Sequence, residues 1–121
     1  MADHFVEYWK RQQARRRHQD LQLAGEARRD LGRIVQILRE DYGVRQVILF
    51  GSLARNQFTA GSDIDLAVAG LAPADFFTAW AEINRLSRFR IDLKPMESLY
   101  PHFRQRVLSR GEIIYEAPEG G

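Results

Sequence analysis

The spacing of apolar positions changes along the chain, and each change predicts a new element of secondary structure. From Leu21 onward, apolar residues recur every three or four positions, which is the spacing of one face of a helix. The residues on this face are Ala24, Ala27, Leu31, Ile34, Val35 and Leu38. Gly43 is a natural stop for the helix, because glycine readily adopts the left-handed conformation that follows many helix ends.

Later segments have the patterns of β-strands. These segments are residues 47–50, 64–69, 89–93 and 113–115. The first is a continuous apolar run that ends at Gly51, which is typical of a buried strand opening into a turn and then a helix. The second follows a loop over residues 56–62, and the second and third alternate apolar and polar positions. Each alternating strand should therefore have one face in the core.

Two more helices are predicted between the strands. One begins near Pro73, and its apolar stripe consists of Phe76, Phe77, Trp80, Ile83 and Leu86. A closing helix over residues 99–109 directs Phe103, Val107 and Leu108 inward. The sum is an α/β (α+β) domain in which a small mixed β-sheet is covered by helices.

The first 20 residues differ in composition from the rest. Phe5, Val6, Tyr8 and Trp9 precede a strongly basic run over residues 10–18. We therefore divide the chain into a basic N-terminal extension (residues 1–20, expected to be helical), a folded domain (residues 21–116) and a flexible tail (residues 117–121). A helix with Phe5 and Trp9 on one side could dock on a partner protein, and a solvated extension is the alternative.

The composition excludes several classes of function. At 121 residues the chain has the size of one domain. The absence of cysteine removes disulfides, thiolate nucleophiles and cysteine-based zinc sites. No apolar run approaches the roughly 20 residues that cross a bilayer, and no secretion signal is recognisable. We expect a cytoplasmic protein without membrane contact. The net charge of +2 is too small to indicate nucleic-acid binding by itself.

Gly51 and Ser52 are candidates for binding phosphate. A glycine at the end of a strand lets the backbone approach a phosphate closely, and Ser52 with the following amides can donate hydrogen bonds to it. The dipeptide is also common in ordinary turns. It therefore needs support from elsewhere in the chain.

Asp63, Asp65 and Asp92 provide that support. Asp63 and Asp65 are two residues apart, so both carboxylates project from one face of an extended backbone, opposite the apolar residues. The alternation of the third strand places Asp92 on its non-core face, where a neighbouring strand could bring it beside the other two. Carboxylate oxygens suit Mg²⁺, and two ions roughly 4 Å apart can promote in-line phosphoryl displacement. Solvated surface acids are the alternative.

The combination of these motifs resembles the signature of minimal nucleotidyltransferases of the DNA polymerase β-like superfamily. It consists of Gly51-Ser52-Leu53-Ala54-Arg55, ten residues between Ser52 and Asp63, the sequence Ser62-Asp63-Ile64-Asp65-Leu66, and the later Ile91-Asp92-Leu93. The similarity extends from about Val44 to Tyr115. It implies the polymerase β-like nucleotidyltransferase fold, with helices on one face of the sheet and the active site on the other.

The resemblance also implies a role for each residue. Gly51 and Ser52 would hold the triphosphate of ATP. Arg55, one helical turn past Ser52, is close enough to support them at a phosphate or to pair with an acid, and an ordinary helix-surface arginine is the alternative. Asp63 and Asp65 would bind two Mg²⁺ ions, with Mn²⁺ as the alternative metal. Asp92 would complete one metal site near the acceptor hydroxyl and help to take its proton.

The acceptor is implied by the resemblance as well. The compact members of the superfamily resemble antitoxins that are paired with HEPN-type ribonuclease toxins and that adenylylate a tyrosine of the toxin. A HEPN-type toxin is therefore the expected partner. Three alternatives remain open: transfer to a small-molecule or RNA hydroxyl, neutralisation of a partner by binding alone, and salt-dependent nucleic-acid binding by residues 10–18.

Overall fold

The computed structural model describes residues 2–119. Residues 120 and 121 of the predicted tail lie outside them. The helices are α1 (Ala2–Glu40), α2 (Gly51–Ala54), α3 (Phe76–Leu86) and α4 (Pro101–Arg110). The strands are β1 (Gln46–Phe50), β2 (Ile64–Ala69), β3 (Ile91–Pro95) and β4 (Glu112–Glu116), and short 3-10 turns cover Pro73–Asp75 and Met96–Ser98.

Helix α1 is a single helix of 39 residues, and it runs through the predicted boundary between residues 20 and 21. The change near this boundary is in burial. Most side chains of residues 3–22 are exposed, continuous partial burial begins at Leu23, and the first fully buried side chain is Ala27. We call residues 3–22 the N-terminal arm. Within residues 2–119, no helix is both long enough and apolar enough to span a membrane.

The strands form a mixed sheet in the order β3-β2-β1-β4. Strand β1 pairs antiparallel with β2 and with β4, and β2 pairs in parallel with β3. Helix α3 supplies the connection that two parallel neighbours need. The predicted α+β class with a small mixed sheet is confirmed.

The two faces of the sheet have different partners. On one face, the buried residues of α1 and α3 pack against alternate residues of β1, β2 and β3. On the other face, Val107 of α4 and Met96 cover Ile48 and Ala67, while Phe50 and Phe103 meet edge to face at 5.7 Å. Helix α4 therefore covers part of the face on which the candidate site lies and leaves the strand ends uncovered.

Several predicted core residues are exposed. Phe77 is 76% exposed, Leu86 is 53% exposed, and Leu108 is 48% exposed, so predicting them inside was wrong. Helix α3 presents its small residue Ala79 and Ile83 to the core instead. The indole N–H of Trp80 donates to the carbonyl of Ile91 at 3.2 Å, which holds the ring at the edge strand β3.

Asp30, which the sequence analysis did not single out, joins α1 to the segment before β3. Its carboxylate is 1% exposed and accepts hydrogen bonds from the amide of Arg88 at 3.0 Å, the hydroxyl of Ser87 at 3.3 Å and the guanidinium of Arg33. Burial would raise the pKa of Asp30, but these donors together hold it below its ordinary value. The charged carboxylate therefore stabilises the position of β3 relative to α1.

Replacing this carboxylate should destabilise the protein. We expect Asp30→Asn to lower the free energy of unfolding by about 2 kcal/mol at pH 7, because hydrogen bonds to a charged group contribute that much. The pKa is lowered on folding, so the stabilisation is present above the unfolded pKa near 4 and is lost as the pH falls through the lower folded value. Urea unfolding at pH 7 and pH 3 measures both effects.

Glu26→Gln is the matched control for Asp30→Asn. Glu26 approaches the guanidinium of Arg88 at 3.7 Å from the solvent side, and exposed ion pairs contribute little. We expect a change within about 0.5 kcal/mol. Equal losses in the two variants would contradict the role given to Asp30.

Candidate active site

The candidate site lies where three strand segments meet on one face of the sheet. The antiparallel register places Phe50 opposite Asp65, and the parallel register places Asp65 opposite Asp92. Because side chains alternate along a strand, Asp65 and Asp92 lie on the face opposite Ile64, Leu66, Ile91 and Leu93, which are buried. The structure thus brings these two predicted aspartates side by side.

Gly51 is in direct contact with Asp65 of this pair. Its φ of +76° favours glycine, and a Cβ built on it would overlap the carboxylate of Asp65 and lie 2.9 Å from its Cγ. A side chain at this position would therefore displace Asp65. The glycine predicted for its approach to phosphate is also required by its approach to a carboxylate.

Ser52 and Arg55 occupy the short helix α2 and its end. Ser52 is half-buried, and its carbonyl accepts a hydrogen bond from the amide of Gln57 at 2.8 Å. Helix α2 is the helix that the sequence predicted after the Gly51 turn, and it has only four residues. Arg55 is exposed at its C-terminal end, and its positive charge favours the ionised form of Asp65.

The carboxylates of the site repel one another. Burial, then the charge of Asp92 and then that of Asp63, raise the pKa of Asp65 to about 6. Asp63 is half-buried in the loop immediately before β2, close enough for its charge to act on Asp65. The site carries an excess of negative charge, which a bound cation would neutralise.

Lys94 is a site residue that the sequence analysis left aside. Its ammonium group lies 3.2 Å from a carboxylate oxygen of Asp92, two residues earlier on the same face of β3. It also opposes the rise in the pKa of Asp65. The alternation of β3 contained the signal, because residues two apart on a strand share a face.

The donor set of the site fits a divalent cation. Asp65 and Asp92 offer carboxylate oxygens, which are the ligands that Mg²⁺ prefers. Within residues 2–119, no three acidic or imidazole side chains already converge as a metal cage. The structure brings Asp65 and Asp92 together, and Asp63 lies in the loop immediately before β2.

Comparison with known proteins gives the family context. Residues 32–120 match the sequence family described as Polymerase beta, Nucleotidyltransferase. A candidate protein adenylyltransferase of Methanocaldococcus jannaschii is 38% identical over 61 residues, which cover 48% of this chain and 62% of that protein. The chain thus spans less than two thirds of the length of this relative.

Two solved structures share the fold. A toxin–antitoxin complex with AMP-PNP contains a chain that matches with a TM-score of 0.64 and 22% identity, over 73% of each chain. A complex of the tri-AMPylated HEPN toxin of Shewanella oneidensis with an MNT antitoxin contains a chain that matches with a TM-score of 0.59 and 20% identity, over 74% of this chain and 72% of the other. The polymerase β-like fold expected from the resemblance is confirmed.

The raised pKa of Asp65 has a measurable consequence for stability. The folded protein binds this proton more tightly than the unfolded chain, whose pKa is 3.8, so ionisation of Asp65 lowers stability as the pH rises from about 4 to about 6. We expect Asp65→Asn to be more stable than the original protein by about 1 kcal/mol at pH 7.5, after allowance for solvent screening. Below pH 4 the difference should disappear.

Thermal unfolding without added metal at pH 3.5 and pH 7.5 measures this difference. Glu116→Gln, which removes an exposed carboxylate of β4, is the control and should change little at either pH. A loss of stability in Asp65→Asn at pH 7.5 would contradict the proposed repulsion.

Proposed function

Because the chain belongs to the polymerase beta nucleotidyltransferase family, we propose that it transfers the AMP moiety of ATP to a hydroxyl group of a partner protein. The observation that carries this proposal is the pairing of Asp65 with Asp92 next to the Gly51 turn. A phosphate held at this turn would lie beside both carboxylates. That is the arrangement needed to bring a metal-bound nucleotide to an attacking hydroxyl.

In the proposed reaction, the acceptor oxygen attacks the α-phosphorus of ATP. A bond forms between that oxygen and the α-phosphorus, the bond from the α-phosphorus to the bridging oxygen breaks, and pyrophosphate leaves. Gly51 and Ser52 bind the phosphates through the backbone and hydroxyl of the turn. Asp92 accepts the proton of the acceptor hydroxyl, and Lys94, at 3.2 Å, holds the Asp92 carboxylate in place.

Mg²⁺ or Mn²⁺ would be held by Asp65 and Asp92, with Asp63 completing the ligands, and would neutralise the negative charge of the phosphates. The mutual repulsion that raises the pKa of Asp65 supports this assignment. Removing the cation should therefore abolish transfer.

We propose a HEPN-type toxin as the partner and a tyrosine as its acceptor. The support is the shared fold with a chain in the complex of an AMPylated HEPN toxin and an MNT antitoxin, together with the relative that is a candidate protein adenylyltransferase. The chain would then act as the antitoxin of the pair.

The N-terminal arm is the surface that we propose for the partner. Phe5 is 71% exposed and Trp9 is 55% exposed. Since eighteen residues make five helical turns, Trp9 lies on the same helical face as Ala27, which packs into the core. The aromatic stripe therefore continues the inward face of α1 beyond the edge of the domain.

A groove separates the arm from the loop that follows α2. It has a volume of about 450 Å³ and lies between Arg16 and Arg17 of the arm and the loop of residues 56–59. This loop begins directly after Arg55. A protein that docks on the arm and fills the groove would contact this loop, whose Gln57 amide donates to the carbonyl of Ser52 at 2.8 Å, which supports the arm as the docking surface for the acceptor.

Transfer can be tested with ATP labelled at the α-phosphate, Mg²⁺ and the protein encoded by the neighbouring gene. We expect label to move to the partner, and mass spectrometry to find AMP on a tyrosine. Asp65→Asn and Asp92→Asn should each lower the rate at least about a hundredfold, because each removes charge stabilisation at the reacting phosphate. Asp75→Asn, an exposed carboxylate at the start of α3, should transfer normally.

The outcomes separate the alternatives. Label on RNA or on a small molecule, with none on the partner, would replace the proposed acceptor. If no label moves and the variant with both Asp65→Asn and Asp92→Asn still neutralises the partner, the protein acts by binding alone and the catalytic proposal is wrong.

The role of the arm can be tested by affinity. We expect the variant with Phe5→Ala and Trp9→Ala to bind the partner at least about tenfold more weakly, because exposed aromatic side chains dominate many interfaces. Its melting temperature should not change, since neither side chain is in the core. Calorimetric titration and thermal unfolding measure the two quantities.

Tyr8→Ala is the control for the arm. Tyr8 is 58% exposed on the same helix, but it lies about 100° around the axis from Trp9. An unchanged affinity in the Phe5 and Trp9 variant would show that the arm is a solvated extension. An equal loss in Tyr8→Ala would remove the assignment to this face.

A further inference from the structure

A cleft that borders Gly51 is lined by arginines. It has a volume of about 300 Å³ and lies between α2 and α4. Its lining includes Phe50, Gly51, Arg55, Phe103, Arg106 and Arg110. No acidic residue is among the residues that line it, so three guanidinium groups share one cavity without a negative charge in its wall.

These arginines lack carboxylate partners. Within the part of the chain that the structure describes, the ion pairs of 4.0 Å or less involve Arg28, Arg33, Arg39, Arg88 and Lys94. Arg55, Arg106 and Arg110 are not among them. Their positive charges repel one another, and a ligand with several negative charges would relieve that repulsion.

The packing of α4 holds the cleft in shape. Val107 is buried between the sheet and α4, and the ring of Phe103 meets Phe50 edge to face. The guanidinium of Arg106 lies 5.7 Å from the centre of the Phe103 ring, so an aromatic face supports it. Arg110 is one helical turn further along α4.

We propose that Arg106 and Arg110 of α4, together with Arg55, bind the β- and γ-phosphates of the nucleotide and then the pyrophosphate that leaves. This inference rests on the proposed function and deepens it. Gly51 is in contact with Asp65 and also lines the cleft. An α-phosphate placed at the carboxylates would therefore have the cleft next to it, where its β- and γ-phosphates can bind. Guanidinium groups bind phosphate oxygens with paired hydrogen bonds.

The cleft also has a place in the chemistry of transfer. When the bond between the α-phosphorus and the bridging oxygen breaks, its electron pair leaves with the pyrophosphate. Arginines near the pyrophosphate stabilise the negative charge that develops there. The arginine-lined cleft would therefore act on the leaving group.

Binding of pyrophosphate, ATP and AMP to the purified chain tests the assignment, with calorimetric titration as the readout. We expect Arg106→Ala and Arg110→Ala each to weaken the binding of pyrophosphate and of ATP about tenfold, because each removes a charge-assisted contact. Binding of AMP, which lacks the β- and γ-phosphates, should change less than about twofold. Arg106→Lys keeps the charge and should fall between the original protein and Arg106→Ala.

Arg104→Ala is the matched control, because Arg104 is an exposed arginine of α4 that does not line the cleft. It should bind all three ligands as the original protein does. The assignment is wrong if Arg106→Ala and Arg110→Ala bind pyrophosphate normally. It is also wrong if they lose as much affinity for AMP as for ATP, or if Arg104→Ala loses as much as they do.

Transfer of labelled AMP separates this inference from the proposed function. If the original protein transfers label and Arg106→Ala keeps the same KM for ATP, the cleft assignment fails and the transferase stands. If the original protein transfers nothing but pyrophosphate binding depends on Arg106, the transferase proposal fails and the anion cleft stands.

Discussion

The parallel pairing of β2 with β3 is the constraint on which the candidate site depends. It places Asp65 opposite Asp92, although two adjacent carboxylates repel each other. The register is maintained from the opposite face of the sheet, where Ile64, Leu66, Ile91 and Leu93 are buried. A slip of β3 by one residue would turn Ile91 and Leu93 to the wrong face. Burial in the core therefore overcomes the repulsion between the carboxylates.

The sequence was sufficient for the features that depend on local spacing. Alternation along residues 64–69 placed Asp65 opposite the apolar positions, and the boundaries of β1 and β2 differ from the expected ones by at most one residue. Exposure of Phe77 and Leu108 could not be read in this way, because it depends on which part of each helix faces the sheet. The apolar stripe of α3 is wider than the part of the helix that packs against the core.

Features that join distant segments were also invisible in the sequence. Asp30 is one of several acids on α1, and only the folded chain brings it to the amide of Arg88. The arginines of α4 look like an ordinary solvated helix face until Phe103 and Val107 pack them beside Gly51. In both cases only a contact between distant segments of the chain distinguishes these residues from ordinary surface residues of the same type.

The continuity of α1 has a consequence for how the chain can change. The buried half and the exposed arm share one helix, so they have a fixed rotational phase of about 100° per residue and a fixed rise of about 1.5 Å per residue. Substitutions in the arm leave this phase intact. Inserting or deleting one or two residues before Leu23 would turn the aromatic stripe away from the groove while the domain stayed folded. Docking on the arm should therefore tolerate insertions or deletions only when their length is close to a whole number of helical turns.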